Sequence, residues 1–199
     1  MLFLGLRRVG VPIAGSAQAR LIGRLVTAGS SEDAWAYYAA IHPGADRRMS
    51  RDPRFTALTE NPTPFDWIPV NDIGTTTSIG RGDRGGVFDF MAVTSLGGPL
   101  LRQMQMLPPG DYRLEGHGSG IDQPMESRPY WVLTCSDGRE LGRLTMPNSA
   151  RANGTFNGLF SVPRGCPVQI LTLIARSSDA VGGVSGQIDR AMLRPAGKR

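Results

Sequence analysis

The spacing of apolar residues along the chain changes once, near residue 65. Before that point Ala19, Leu21, Ile22, Leu25 and Val26 recur every three or four positions, which puts them on one stripe of a helix. Thr27-Ala-Gly-Ser30 stops this helix, with Gly29 as its C-terminal glycine. Ser31 is expected to cap a second helix. Glu32 and Asp33 in its first turn favour the helix dipole, and Ala34, Trp35, Tyr38 and Ile41 form its apolar stripe. His42-Pro-Gly44 ends it. Two short helices joined by a tight turn cannot bury their own faces, so this hairpin is expected to pack on the downstream domain or on upstream helices of a longer chain. Residues 45–64 are polar and carry Pro53, Pro62 and Pro64, the pattern of a tether laid along a surface.

From residue 65 the period becomes two. Residues 65–70, 86–94, 100–106, 112–116, 130–135, 140–146, 155–162, 168–175 and 186–193 each read as a short strand. Leu107-Pro-Pro-Gly-Asp111 is a turn, and Asp137-Gly138 is a hairpin signal. About nine strands after one helical hairpin predict a mainly β fold, a jelly-roll β-sandwich with a short helical hairpin in front. The expected division is 1–60 for the hairpin and linker and 61–199 for the sandwich. On that division, a chain lacking residues 1–60 should still fold.

Composition agrees with this outline and removes some functions. The 26 glycines and 15 prolines among 199 residues suit a turn-rich β domain, and 40% hydrophobic against 20% charged residues is enough for a real core. No apolar run reaches the length of a membrane span. The net charge is 22 basic minus 17 acidic, or +5, and Lys198 is the one lysine among the basic residues. Arg7 and Arg8, then Arg47, Arg48, Arg51 and Arg54, form local basic clusters. The second cluster is interrupted by Asp46, Asp52 and Pro53 and holds no aromatic, so it reads as a solvated linker and no nucleic-acid partner is expected. The opening Met-Leu-Phe-Leu-Gly-Leu precedes its arginines, the reverse of a secretory signal. The chain is therefore expected either to be cytoplasmic or to be the C-terminal piece of a longer exported protein.

Cys135 and Cys166 bear on that choice. There is no Cys-x-x-Cys, and His42 and His117 stand alone, so no zinc-ligand spacing exists. Each cysteine sits at a strand end beside a turn, and on neighbouring strands the two would form a disulfide closing a loop of about 30 residues; two buried thiols are the alternative. A disulfide implies an oxidising compartment, periplasmic or extracellular.

The alternation places Gln103, Gln105, Arg113, Glu115, His117, Tyr130 and Thr134 on the polar sides of their strands, and Trp131, Leu133 and Cys135 on an apolar side with Trp67 and Tyr112 as further core. Planar amides, a guanidinium and a phenol ring suit sugar hydroxyls. The expected ligand-binding residues are Gln103, Gln105, Arg113, Glu115 and Tyr130, with an ordinary solvated face as the alternative. No pair of carboxylates is placed to flank a glycosidic bond. There is also no Gly-x-Ser-x-Gly, Walker or dinucleotide-binding motif, and no cofactor or metal is expected. His117, Tyr130, Gln105 and Arg113 match the residue types of a polysaccharide lyase site, but by type alone. Arg81-Gly82-Asp83 and the formal glycosylation acceptor Asn153-Gly154-Thr155 read as turns.

Leu107-Pro-Pro-Gly-Asp-Tyr-Arg-Leu114 resembles the "L-x-P-G-x-Y-x-L" hairpin of galactose-binding-like and carbohydrate-binding-module jelly rolls. Trp131-Val-Leu-Thr-Cys135, Phe160-Ser-Val-Pro163 and Cys166-Pro-Val-Gln-Ile-Leu-Thr-Leu173 come after it in the order such domains use. Gly186-Gln-Ile-Asp-Arg-Ala-Met-Leu193 resembles their closing "I-D-x-V-x-L" strand. The helical segment resembles a single tetratricopeptide-type hairpin, and the combination resembles C-terminal regions of alphaproteobacterial envelope proteins. The resemblance implies a non-enzymatic envelope or secreted module that binds a polysaccharide or glycan, with envelope proteins as further partners. The competing class is a structural assembly module. The resemblance transfers no particular ligand.

Overall fold

The computed structural model describes residues 13–57, 59–82, 85–93, 97–177 and 183–197. Arg7, Arg8, Asp83 and Lys198 lie outside the described residues. The two helices form where the spacing places them, as α1 (Gly15–Thr27) and α2 (Ser31–Ile41). Gly29 takes φ +80 in the turn between them, and the Ser30 amide donates back to the Leu25 carbonyl at 2.9 Å. The cap position of α2 is Ser30 rather than Ser31, and no side chain fills that role.

Ten strands come next: β1 (Ile68–Pro69), β2 (Thr75–Gly82), β3 (Gly85–Ala92), β4 (Gly98–Gln105), β5 (Gly110–Ser119), β6 (Tyr130–Cys135), β7 (Glu140–Thr145), β8 (Thr155–Val162), β9 (Gln169–Ala175) and β10 (Val184–Pro195). They make two antiparallel sheets of five, ordered β1-β4-β9-β6-β7 and β2-β3-β10-β5-β8. The chain switches sheet at each step from β3 to β6 and again from β7 to β10, the winding of a jelly roll. The added strand is β2, whose Thr75-Thr-Thr-Ser-Ile79 run carries almost no apolar alternation.

Between the sheets lie Trp131 and Leu133 of β6, Leu171 and Leu173 of β9, Phe88 and Phe90 of β3, Leu114 of β5 and Ile188 of β10, all buried. Each such side chain contributes about 1.5–3 kcal/mol by leaving water. The Trp131 ring sits 5.9 Å from Trp67 and 6.4 Å from Phe156, so the assignment of Trp131 and Trp67 to the core holds. Tyr112 is also buried, and its hydroxyl donates to the Pro108 carbonyl at 2.8 Å. At the end of β6, Cys135 is disulfide-bonded to Cys166, with the Cα atoms 5.7 Å apart.

The helical hairpin covers part of the outer face of the first sheet. Ile22, Ala34, Trp35, Tyr37 and Tyr38 pack against Phe65, Met104 and Met106. The segment that joins hairpin to sandwich is not the solvated tether expected from its polarity. The Ser50 amide donates to the Leu193 carbonyl at 2.9 Å, the Ala191 amide to Pro53 at 2.9 Å, and the Gly86 amide to Arg54 at 2.9 Å. The register of β10 shifts between Ile188 and Arg190. Its pairing with β3 stops at Ile188, and residues 50–54 take over that edge. Phe55 is fully buried, with its ring 5.5 Å from Trp67 and 6.3 Å from Phe88.

Arg51 is buried too. Its guanidinium donates to the carbonyls of Phe65 (2.5 Å), Met104 and Met49 (3.4 Å), and its carbon lies 5.2, 5.8 and 5.6 Å from the ring centres of Trp35, Tyr38 and Phe65. Burial pushes its pKa down to about 10, which leaves it charged at neutral pH. Carbonyl dipoles and aromatic faces replace the water it gives up. Beside it the Tyr38 hydroxyl donates to Asp66 at 2.7 Å; burial, then that carboxylate, drives the tyrosine pKa far upward. Packing is therefore continuous across residue 60. No helix among the described residues is long and apolar enough to cross a membrane.

Candidate functional site

The residues expected to share one polar face are divided over three places. Gln103 and Gln105 lie on the inner side of β4, where Gln103 is in register with core residue Leu171, and both are fully buried. The Gln103 amide accepts from the Arg51 backbone N–H (3.2 Å) and donates to the Arg51 carbonyl (3.0 Å). Gln105 donates in turn to the Gln103 oxygen at 2.7 Å. Neither reaches solvent, so neither belongs to a ligand face. They hold the linker in place. Met104 and Met106, which alternate with them, point the other way into the hairpin.

Tyr130 begins β6 on the outer face of the first sheet. The guanidinium carbons of Arg143 and Arg176 lie 4.3 and 4.8 Å from its ring centre, which engages the ring with cations. Arg143 also grips Glu140 at 2.7 and 3.1 Å and holds that carboxyl below its ordinary pKa. Arg176 donates to the Arg128 carbonyl at 3.1 Å and to the Thr145 hydroxyl at 2.9 Å. Every other described aromatic ring of Phe, Tyr or Trp is buried.

Arg113 and Glu115 stand on β5, on the outer face of the second sheet, which none of the described elements covers. Alternation along β5 sends Tyr112, Leu114 and Gly116 inward and these two outward. Around them β8 and β10 contribute residues that the alternation of single strands did not single out. Arg194 is the cross-strand partner of Arg113, Met192 that of Glu115, and Arg190 that of His117. Glu115 accepts from Arg194 at 3.1 and 3.3 Å, while Arg190 approaches no nearer than 3.9 Å. Arg113 donates to the Asn157 amide oxygen at 3.2 Å and has no carboxylate partner among the described residues. It lines an open depression of about 850 Å³ together with Asp111, Leu141, Leu159, Ser161 and Pro195, with Leu159 60% exposed. Farther along the face His117 Nδ1 pairs with Asp189 at 2.9 Å on the irregular step of β10, and Gln187 donates to Asp89 at 2.6 Å.

No protein-family model matches the sequence, and no curated protein matches it. Solved structures do. A CBM4 carbohydrate-binding module is 14% identical with a TM-score of 0.50, over 73% of this chain and 99% of that one. An arabinose-bound MgGH51 α-L-arabinofuranosidase is 13% identical with a TM-score of 0.51, over 77% of this chain and 27% of that one. The enzymatically active domain of tailspike protein 4 from bacteriophage CBA120 is 12% identical with a TM-score of 0.43, over 64% of this chain and 18% of that one. The likeness is one of fold.

That fold is the jelly-roll sandwich found in carbohydrate-binding modules, and at such identities it assigns no residue a role. The chemistry comes from the face itself. Forked guanidinium donors, amide groups and carboxylates lie in rows beside an apolar shelf. Among the described residues no three His, Cys, Asp or Glu side chains are grouped to hold a metal ion. Asn157 and Leu159 were recoverable from alternation in the 155–162 strand, whereas Arg194 lies one residue past the expected 186–193 strand. Arg190 was not recoverable, because the shift in β10 inverts the face partway along.

Proposed function

We propose that this protein is a non-catalytic carbohydrate-binding module that lays a polysaccharide or glycan along the outer face of the second sheet, centred on Arg113 and Glu115. One observation carries the reading. The Arg113 guanidinium, without a carboxylate partner among the described residues, stands over an open depression whose floor includes exposed Leu159. An apolar shelf suits the C–H face of a sugar ring, and the fork suits its oxygens. The likeness of fold to a CBM4 module supports the class of ligand. The disulfide favours a periplasmic or extracellular setting, where glycans are at hand.

A second reading, a structural or protein-interaction module of an envelope assembly, draws on a different observation. The face carries no aromatic platform, since every described Phe, Tyr or Trp ring but Tyr130 is buried and Tyr130 is on the other sheet. Screening the full chain on a glycan array separates the two. The carbohydrate reading expects retention by one polymer class, weakened about tenfold by Arg113→Ala, or roughly 1.4 kcal/mol, with the melting temperature unchanged. Retention by no glycan rejects it in favour of the assembly role.

A further inference from the structure

Resting on that reading, we propose that the bound polymer is acidic, a polysaccharide bearing carboxylate groups, and that Arg113, Arg190 and Arg194 read those groups. Arg113 and Arg194 face each other across the β5–β10 ladder, a like-charge pairing that disfavours the folded sheet unless an anion comes between them. Of the carboxylates on this face, Glu115 is committed to Arg194 and stands 3.9 Å from Arg190, Asp189 pairs with His117, and Asp111, which lines the depression, makes no ion pair with Arg113. Arg113 has only the neutral Asn157 amide. A neutral glycan leaves Arg113 and Arg190 without a close carboxylate, whereas a planar carboxylate matches a guanidinium fork bidentately.

The arrangement also suits a chain rather than a single ion. Arg190 and Arg194 are four residues apart on β10, about 13 Å at the usual strand rise, so the cations form a row. The apolar shelf of Leu141, Leu159 and Pro195 beside Arg113 offers contact to the uncharged face of a ring, which an inorganic polyanion does not use.

The test is affinity electrophoresis of the full chain in native gels containing polygalacturonate, alginate or hyaluronate, the carboxyl-reduced form of each, a neutral β-glucan, or polyphosphate. The expected result is retardation by at least one acidic polysaccharide and its loss on carboxyl reduction. Arg113→Ala and Arg194→Ala should each weaken retention tenfold or more while the chain still unfolds in one cooperative transition near the parent melting temperature. Arg113→Lys should recover little, since it keeps the charge and loses the fork. Arg102→Ala, on the opposite sheet, should change nothing. Equal binding of the carboxyl-reduced polymer or the neutral glucan, still dependent on Arg113, would overturn the acidic ligand and leave the glycan site standing. Equal retention by polyphosphate, or an equal loss in Arg102→Ala, would reduce the effect to the net positive charge of the chain and overturn the proposal. Retention by none of the polysaccharides overturns both the acidic ligand and the glycan reading beneath it.

Discussion

Replacing Phe55 with alanine tests whether the segment before residue 60 belongs to the sandwich. The ring is fully buried between Trp67 and Phe88, and removing a buried phenylalanine costs about 3–5 kcal/mol in transfer and cavity terms. The backbone there is held firmly enough to accept φ +54, a conformation that disfavours a side chain by about 1–2 kcal/mol. The Phe55 amide donates to Asp52 O at 3.1 Å, and the Asp52 carboxylate accepts from the Thr56 and Ala57 amides at 2.8 and 2.9 Å. Against a total stability of about 5–15 kcal/mol for an ordinary domain, the loss is a large fraction. Urea denaturation followed by tryptophan fluorescence reads it directly: with a slope of about 2 kcal/mol per molar, the midpoint should fall by about 2 M. Arg54→Ala, next in sequence and exposed, should move it by less than about 0.3 M. Gly86→Ala should act like Phe55→Ala, because a Cβ there would sit 1.8 Å from the Phe55 carbonyl oxygen. Deleting 1–60 combines the lost ring with the lost Ser50 and Pro53 bonds and should abolish cooperative unfolding, whereas deleting 1–47 should preserve it. A Phe55→Ala midpoint within 0.3 M of the parent, taken as roughly the surface-substitution range, would return residues 50–55 to the status of a tether.

Reducing the Cys135–Cys166 bond opens a loop spanning 31 positions and should destabilise by about 3–4 kcal/mol, seen as a lower melting temperature together with two newly titrating thiols. Trp131→Ala should cost about 3–5 kcal/mol by calorimetry or denaturant titration; an unchanged stability would mean that the face of β6 has been assigned backwards. Tyr130→Ala should leave glycan retention untouched, because that ring lies on the sheet opposite Arg113, and a tenfold loss would move the binding face to the first sheet. Arg51→Met should shift the urea midpoint by more than 1 M, since it orphans the buried carbonyls of Phe65 and Met104 at about 1–3 kcal/mol each.

Strand positions were legible wherever one face of a strand is wet. Strands 130–135 and 155–162 sit where alternation puts them, and Trp131 is core for the reason its neighbours Leu133 and Cys135 suggest. The same logic inverted β4. Gln103 and Gln105 alternate with methionines, and in a strand with one exposed side the amides would face water. Here both sides are covered, the outer by the hairpin and the inner by the linker, and a strand buried twice gives alternation no solvent to point at. The linker departs from its expected solvation for a related reason. Its arginines and aspartates look soluble, yet Arg51 is satisfied by carbonyls and ring faces that only the folded chain brings together. β2 escaped notice because its inward residues include Thr75 and Thr77, which bury without looking apolar. Of the candidate site, Arg113 and Glu115 lie outward as the pattern puts them, but on β10 Arg194 falls one residue past the expected strand and Arg190 depends on a shift in pairing that no local rule locates.

The contact between Ser50 and Leu193 spans 143 positions of sequence. During synthesis the helices emerge first, with Trp35, Tyr38 and Met49 in hand, and the rail against which residues 50–54 align is made last. The hairpin can settle on Phe65, Met104 and Met106 early, but residues 50–54 must wait for β10. Closure between such distant partners is intrinsically slow, because the entropy of a long loop is spent before the contact returns anything. A chain ending before residue 184 would have every strand of the first sheet but a second sheet split between β3 and β5, the two strands that β10 joins. The last strand of the sandwich thus decides when the joint between hairpin and sandwich can close.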